Sequence, residues 1–175
     1  MIEHVTPRAE AALPPRVVFG KWAQKGVPHT GWECVLTREI GSPSQVCEMC
    51  ETRRIRFVHY MQHADYPKIL EVGSGCAGKM EGNPAGAGQR EGSAKNRAAR
   101  RAKWLERQWK ESANANPWIR TQGYRVVICR TGPGWTFTVA CHDRPPHHAA
   151  ATFPTSDEAK LAAFDFIWPT VSRVT

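Results

Sequence analysis

Cys47 and Cys50, in the run VCEMCETRRIRFVHYMQH, stand two residues apart, a spacing that lets one tight turn bring both thiols to a single point. Cys76 follows in the glycine-containing run LEVGSGCAGKM. A chain with this pattern is most constrained if the two runs meet, because three sulfurs on one centre select a thiophilic ion such as Zn2+. A structural Zn2+ held by Cys47, Cys50 and Cys76 is the first expectation. Ser74 occupies the place where a second cysteine of the later run would complete a four-sulfur set. His59 therefore becomes the preferred fourth ligand, with His63 and Cys34 as its rivals. In strand alternation, His63 falls on the same face as His59 but nearer the tip of a hairpin.

The chain has six cysteines, an even number that would also permit three disulfides in an oxidising compartment. The opening run MIEHVTPRAEAALPPRVVFG lacks an apolar core of export length, and no segment reaches the length of a membrane span. A cytoplasmic setting with reduced thiols is the expectation, and it favours metal over disulfides. Cys34, Cys129 and Cys141 read as small apolar residues of strands.

The net charge of +8 and a sequence pI near 9.5 favour polyanionic partners: nucleic acid or an acidic protein surface. A membrane surface fits least, since neither a lipid anchor motif nor a strongly apolar amphipathic face is present. The charge is concentrated in KNRAARRAKWLERQWK, where Lys95, Arg97, Arg100, Arg101, Lys103, Arg107 and Lys110 stand against Glu106 alone. At helical spacing Ala98, Ala102, Leu105 and Trp109 form one apolar stripe, which predicts a basic amphipathic helix over 94–116. Ser93 is placed to cap it, and Asn114 with Pro117 to close it. These cations are candidate phosphate contacts, with Trp104 free to stack on a base or to pack against a neighbouring domain.

Composition divides the rest into an α+β chain. Residues 1–30, with four prolines, read as an extended or disordered arm; 31–80 as a zinc-ribbon β-hairpin module; 81–93, EGNPAGAGQREGS, as a flexible linker. Residues 117–175 read as a C-terminal antiparallel sheet with one packed helix: strands GYRVVICR, WTFTVAC and AAATF, then SDEAKLAAFDFIW. Ser156 is its expected cap, and Ala159, Ala163, Phe166 and Ile167 its sheet-facing side.

The motif CEMC, a histidine-bearing strand and VGSGCAGKM together resemble small zinc-ribbon modules of bacterial, plasmid and phage proteins. That resemblance implies a metal site on Cys47, Cys50 and Cys76 and no reaction. More loosely, FPTSDEAKLAAFD and the strands before it resemble the three-strand-plus-helix DNA-binding domains of ethylene-response factors and phage integrase arms. The resemblance implies a sheet in the DNA major groove, with Arg125, Arg130 and Trp135 near the bases. The combined expectation is a zinc-stabilised nucleic-acid-binding protein of bacterial or mobile-element origin. Its alternative is a protein-interaction factor, an inhibitor or adaptor docking on an acidic partner. A zinc-supported nuclease built on His59, His63 and Asp65 is weaker, because it would share His59 with the zinc site and no Asn-His pair follows. No phosphate-cradling loop, GxSxG, HExxH or deaminase pattern occurs, so a non-enzymatic role is expected.

Overall fold

A computed structural model describes residues 19–170. The chain is α+β, with two hydrophobic cores, each built on its own antiparallel sheet.

The first core begins with a single 3-10 turn at Gly20–Ala23. Strand β1 (Glu33–Glu39) pairs with β4 (Phe57–His63), and β4 pairs with β5 (Tyr66–Val72), in the order β1-β4-β5. A two-residue ladder, β2 (Gln45–Val46) on β3 (Arg54–Ile55), holds the segment between β1 and β4. Helix α1 (Ser74–Met80) follows β5 and packs on helix α2 (Pro84–Ala102). Trp32, Met49, Val58, Met61, Leu70, Val72, Met80 and Ala87 close this core.

The second core lies under a five-stranded sheet in the order β10-β9-β8-β7-β6. Its strands are β6 (Lys110–Glu111), β7 (Pro117–Thr121), β8 (Tyr124–Thr131), β9 (Gly134–Cys141) and β10 (Arg144–His148). Helix α3 (Ser156–Ile167) covers one face, where Ile119, Val126, Ile128, Phe137 and Val139 meet Ala159, Ala163 and Phe164. Thr155, one residue before the expected Ser156, caps α3 by accepting from the Glu158 N–H at 3.1 Å. The helix turns Phe164 inward in place of Phe166, which is 45% exposed and stacks on His147.

Four further sequence expectations change. Within the described residues, 19–30 are not an extended arm: Trp22 packs on the first core, Val27 is buried in it, and the Trp32 indole donates to the Pro28 carbonyl at 2.8 Å. Of the expected linker 81–93, residues 84–93 are the first half of α2. Asn83 caps that helix by accepting from the Gly86 N–H at 2.9 Å, and Pro84 supplies a preset first helical residue. Close packing of Gly78 on Pro84 and burial of Ala87 then offset the helix cost of the glycines.

The basic helix also ends earlier than 116, at Ala102. Trp104 is drawn into the second core, 1% exposed, where its indole donates to the Lys160 carbonyl at 2.7 Å. It packs edge-on against Trp109, Phe164 and Trp168. Burying so large a ring outweighs one more turn of helix. The expected strand AAATF is reduced to one bridge, Phe153 to Trp135, and the polar run DRPPHH supplies edge strand β10 instead. Its two prolines suit a sheet edge, where the missing N–H groups cost no ladder bond.

Candidate metal centre

The knuckle forms because residues 47–50 turn back on themselves between β2 and β3. The Cys47 N–H donates to the Arg53 carbonyl at 2.8 Å, the Glu51 N–H donates to the Cys47 carbonyl at 2.8 Å, and Glu51 takes a φ of 56°. The Glu48 N–H bonds the Glu71 carbonyl at 3.0 Å, and its carboxylate accepts from the Glu71 N–H at 2.6 Å. The knuckle is thereby fastened to β5, the strand that leads into α1. Cys76 lies in the first turn of α1, so the partner of the knuckle is a helix start and not a second knuckle.

The sulfurs of Cys47, Cys50 and Cys76 all lie within 4.8 Å of one another. A tetrahedral ion with Zn–S bonds of about 2.3 Å holds its sulfurs roughly 3.8 Å apart, so the observed cluster needs little movement to close on one. Cys47 is buried, and the other two are partly covered. The donors around them are those a thiolate needs. The Gly73 N–H reaches Cys47 Sγ at 3.5 Å, the Thr52 hydroxyl reaches Cys50 Sγ at 3.4 Å, and Trp22 packs on the same core as the three cysteines.

The Cys47 and Cys76 thiols shift each other in opposite directions. The Cys76 thiol, with the N–H groups of Cys50, Gly73 and Met49, holds Cys47 well below the ordinary cysteine range, while the same partner and burial push Cys76 up. A pocket that stabilises a thiolate before any ion binds suits a metal that requires thiolates. These three residues fit the ion, and what it would supply is a cross-link between knuckle and α1.

Gly20 shows how closely the N-terminal turn seals the site. Its φ is +64°, and a Cβ there would stand 2.7 Å from the Cys50 carbonyl carbon. The adjoining Lys21 N–H bonds the Met49 carbonyl at 2.9 Å. Trp22 is thus a site residue that the sequence reading left in the arm. An aromatic after a glycine, ahead of a buried knuckle, was the available signal.

His59, the preferred fourth ligand, lies outside the cluster, and so do His63 and Cys34. The cause is register: His59 pairs with Thr37 on one side and Val72 on the other, in the middle of the three-stranded sheet. It is fully buried, with Nδ1 3.3 Å from the Thr37 hydroxyl and 3.9 Å from Cys34 Sγ. Its Nε2 has no hydrogen-bond partner among the described residues. Burial first, then the charge of Arg90, lowers its pKa from 6.5 to about 4, so His59 is neutral. His63 packs on Trp32, and its Nδ1 accepts from the Asp65 N–H at 3.0 Å.

The basic residues divide between structure and surface. Arg97 donates to Asp165 at 2.6 Å and to the Trp168 carbonyl at 2.7 Å; Arg101 grips both oxygens of Asp165 at 2.9 Å. These two arginines tie α2 to α3. Lys95 pairs with Glu91, and Arg107 bonds the Thr121 hydroxyl at 2.9 Å. Arg100 lies over Trp168, 4.2 Å from the ring centroid, and Lys103 is exposed at the end of α2.

A cleft of about 1480 Å³ runs between β1, α2 and the end of α3. Its walls include Arg38, Arg56, Arg90, Arg97, Arg100 and Arg101 against Glu39, Glu81 and Asp165. Each of those acids is already paired, and Arg38 and Arg100 have no carboxylate partner among the described residues.

In the C-terminal sheet, Lys110 and Arg125 flank Trp118 on the face away from α3. Arg130 and Trp135 pair with each other on the α3 side, so they cannot share a surface with Arg125. No described helix is long and apolar enough to cross a membrane. Comparison with protein-family models, with curated proteins and with solved structures finds no match to this chain.

Proposed function

We propose that this chain is a zinc-stabilised nucleic-acid-binding protein whose phosphate contacts include the arginines of the α2 cleft. The observation that carries the reading is the charge surplus in that cleft, where Arg38 and Arg100 face the space with every neighbouring carboxylate already engaged. Guanidinium groups lodged in a concave wall without acidic partners suit phosphate, which they bind in bidentate fashion. The zinc centre in this reading is a staple: it fixes α1, against which α2 packs, and so fixes the cleft wall.

The test is binding of DNA and RNA oligonucleotides across a salt series. Affinity is expected to fall steeply from 50 to 200 mM salt, and the double variant Arg38→Ala, Arg100→Ala to show a shallower salt slope, by roughly one ion per lost phosphate contact. No oligonucleotide binding at low salt would reject the reading. The grip of Arg97 and Arg101 on Asp165 favours a second reading, in which the same surface docks on an acidic protein. That reading requires a single protein partner and oligonucleotide binding too weak to survive physiological salt.

A further inference from the structure

The face of the five-stranded sheet turned away from α3 carries an arrangement that the fold itself does not explain. One row crosses all five strands in register: Lys110 on β6, Trp118 on β7, Val127 on β8, Thr138 on β9 and His148 on β10. The neighbouring row pairs Arg120 directly with Arg125. None of these residues is buried, in contrast to Ile119, Val126, Ile128, Phe137 and Val139 on the opposite face. Among the described residues, no helix covers this face and no carboxylate pairs with Lys110, Arg120 or Arg125. The indole of Trp118 lies between two of the cations, with Lys110 Nζ and Arg125 Cζ each 5.3 Å from its centroid.

Like charges directly across an antiparallel pair destabilise a sheet, and Arg120 opposite Arg125 is such a pair with no acid to relieve it. A surface that retains this cost while offering an aromatic ring is matched by an occupant with both phosphates and stackable bases. Width decides between duplex and single strand. Five strands spaced about 4.8 Å apart span roughly 19 Å, whereas the B-DNA major groove is about 12 Å wide, so this sheet does not enter a groove face-on. A duplex would also hide its base faces from Trp118.

We propose that the open face of the β6–β10 sheet binds single-stranded nucleic acid, with a base stacked on Trp118 and phosphates held by Lys110, Arg120 and Arg125. This rests on the nucleic-acid reading above and adds to it a second surface and a strand class. It also replaces the major-groove placement of the sheet that the family resemblance implied.

The experiment measures binding of a fluorescein-labelled 20-mer of deoxythymidine and of a mixed-sequence 20-bp duplex at fixed low salt. The proteins are the wild-type chain, Trp118→Ala, Trp118→Phe, Arg120→Glu and the cleft variant Arg38→Ala, Arg100→Ala. The single strand is expected to bind the wild-type chain more tightly than the duplex. Trp118→Ala should weaken that binding roughly 5- to 100-fold, with partial recovery in Trp118→Phe. Arg120→Glu separates binding from folding: it replaces repulsion with an ion pair to Arg125, so thermal stability should hold or rise while single-strand affinity falls.

Wild-type-like affinity in both Trp118→Ala and Arg120→Glu, with binding lost only in the cleft variant, would overturn this proposal and leave the general reading intact. Preference of the wild-type chain for the duplex would overturn the strand class. Absence of binding to either probe would reject both readings together.

Discussion

At the scale of single residues, His59 and Asp165 show how differently buried and half-exposed charge acts in this fold. His59 is neutral because burial and the nearby Arg90 disfavour its proton; Glu91 on α2 opposes them, and Cys34 and Thr37 on β1 offer only neutral contacts. Its folded pKa of about 4 lies below the unfolded value of 6.5. The stability this contributes is therefore fully present above pH 6.5 and is lost as the pH falls toward 4, by roughly 3 kcal/mol in all. His59→Gln should flatten the pH profile of chemical denaturation over that window relative to the wild-type chain, with both proteins measured in the presence of chelator. Parallel profiles would contradict the assignment. Asp165 is two-fifths exposed and holds two arginines, so solvent screening limits each ion pair to about 1 kcal/mol or less. Asp165→Ala should lower the melting temperature by a few degrees while freeing two guanidinium groups, so that oligonucleotide affinity rises; unchanged affinity would show that Arg97 and Arg101 serve structure alone.

Elements were legible where periodicity and flanking signals agreed. The hairpin β4–β5, strands β8 and β9 and helix α3 fall close to their expected places, since each pairs an alternating or helical apolar pattern with a turn or a cap at its edge. The cysteine cluster was legible from the Cys47–Cys50 spacing and the glycine-containing run around Cys76, whereas its expected fourth member, His59, lies outside it. The first half of helix α2 was not legible, because glycines at 86, 88 and 92 give it the composition of a linker, while the stabilising contact with α1 is tertiary. The far end of the basic run failed for a similar reason, the pull of Trp104 into a core that no local pattern reveals. Gly88 is exposed within α2, and a Cβ there meets nothing within 4 Å. Gly88→Ala should therefore stabilise the chain by about 1 kcal/mol in equilibrium denaturation; a flexible linker would show no gain. The short β6 and β7 escaped notice because they are brief and carry Lys, Glu, Pro and Arg among their few apolar residues.

For the whole molecule, the cysteine cluster sits against only one of the two cores. The cysteine cluster belongs to the first, around Met49, Val58 and Met80, while Trp104, Phe164 and Ile128 belong to the second, held to α2 by the Asp165 pairs. Chelation is expected to expose the first core and to leave the buried tryptophan environment of Trp104 largely intact, so near-ultraviolet circular dichroism should fall only in part. A single cooperative loss of both cores on chelation would contradict this division. The central claim, a centre made by Cys47, Cys50 and Cys76 and by no other cysteine, is tested most directly by metal content. Plasma mass spectrometry on the purified chain and on four variants should find about one zinc per wild-type chain, a retained ion in Cys34→Ser, and its loss in Cys47→Ser, Cys50→Ser and Cys76→Ser. Equal metal content in all five proteins, or no metal in the wild-type chain with all six thiols reactive, would contradict it.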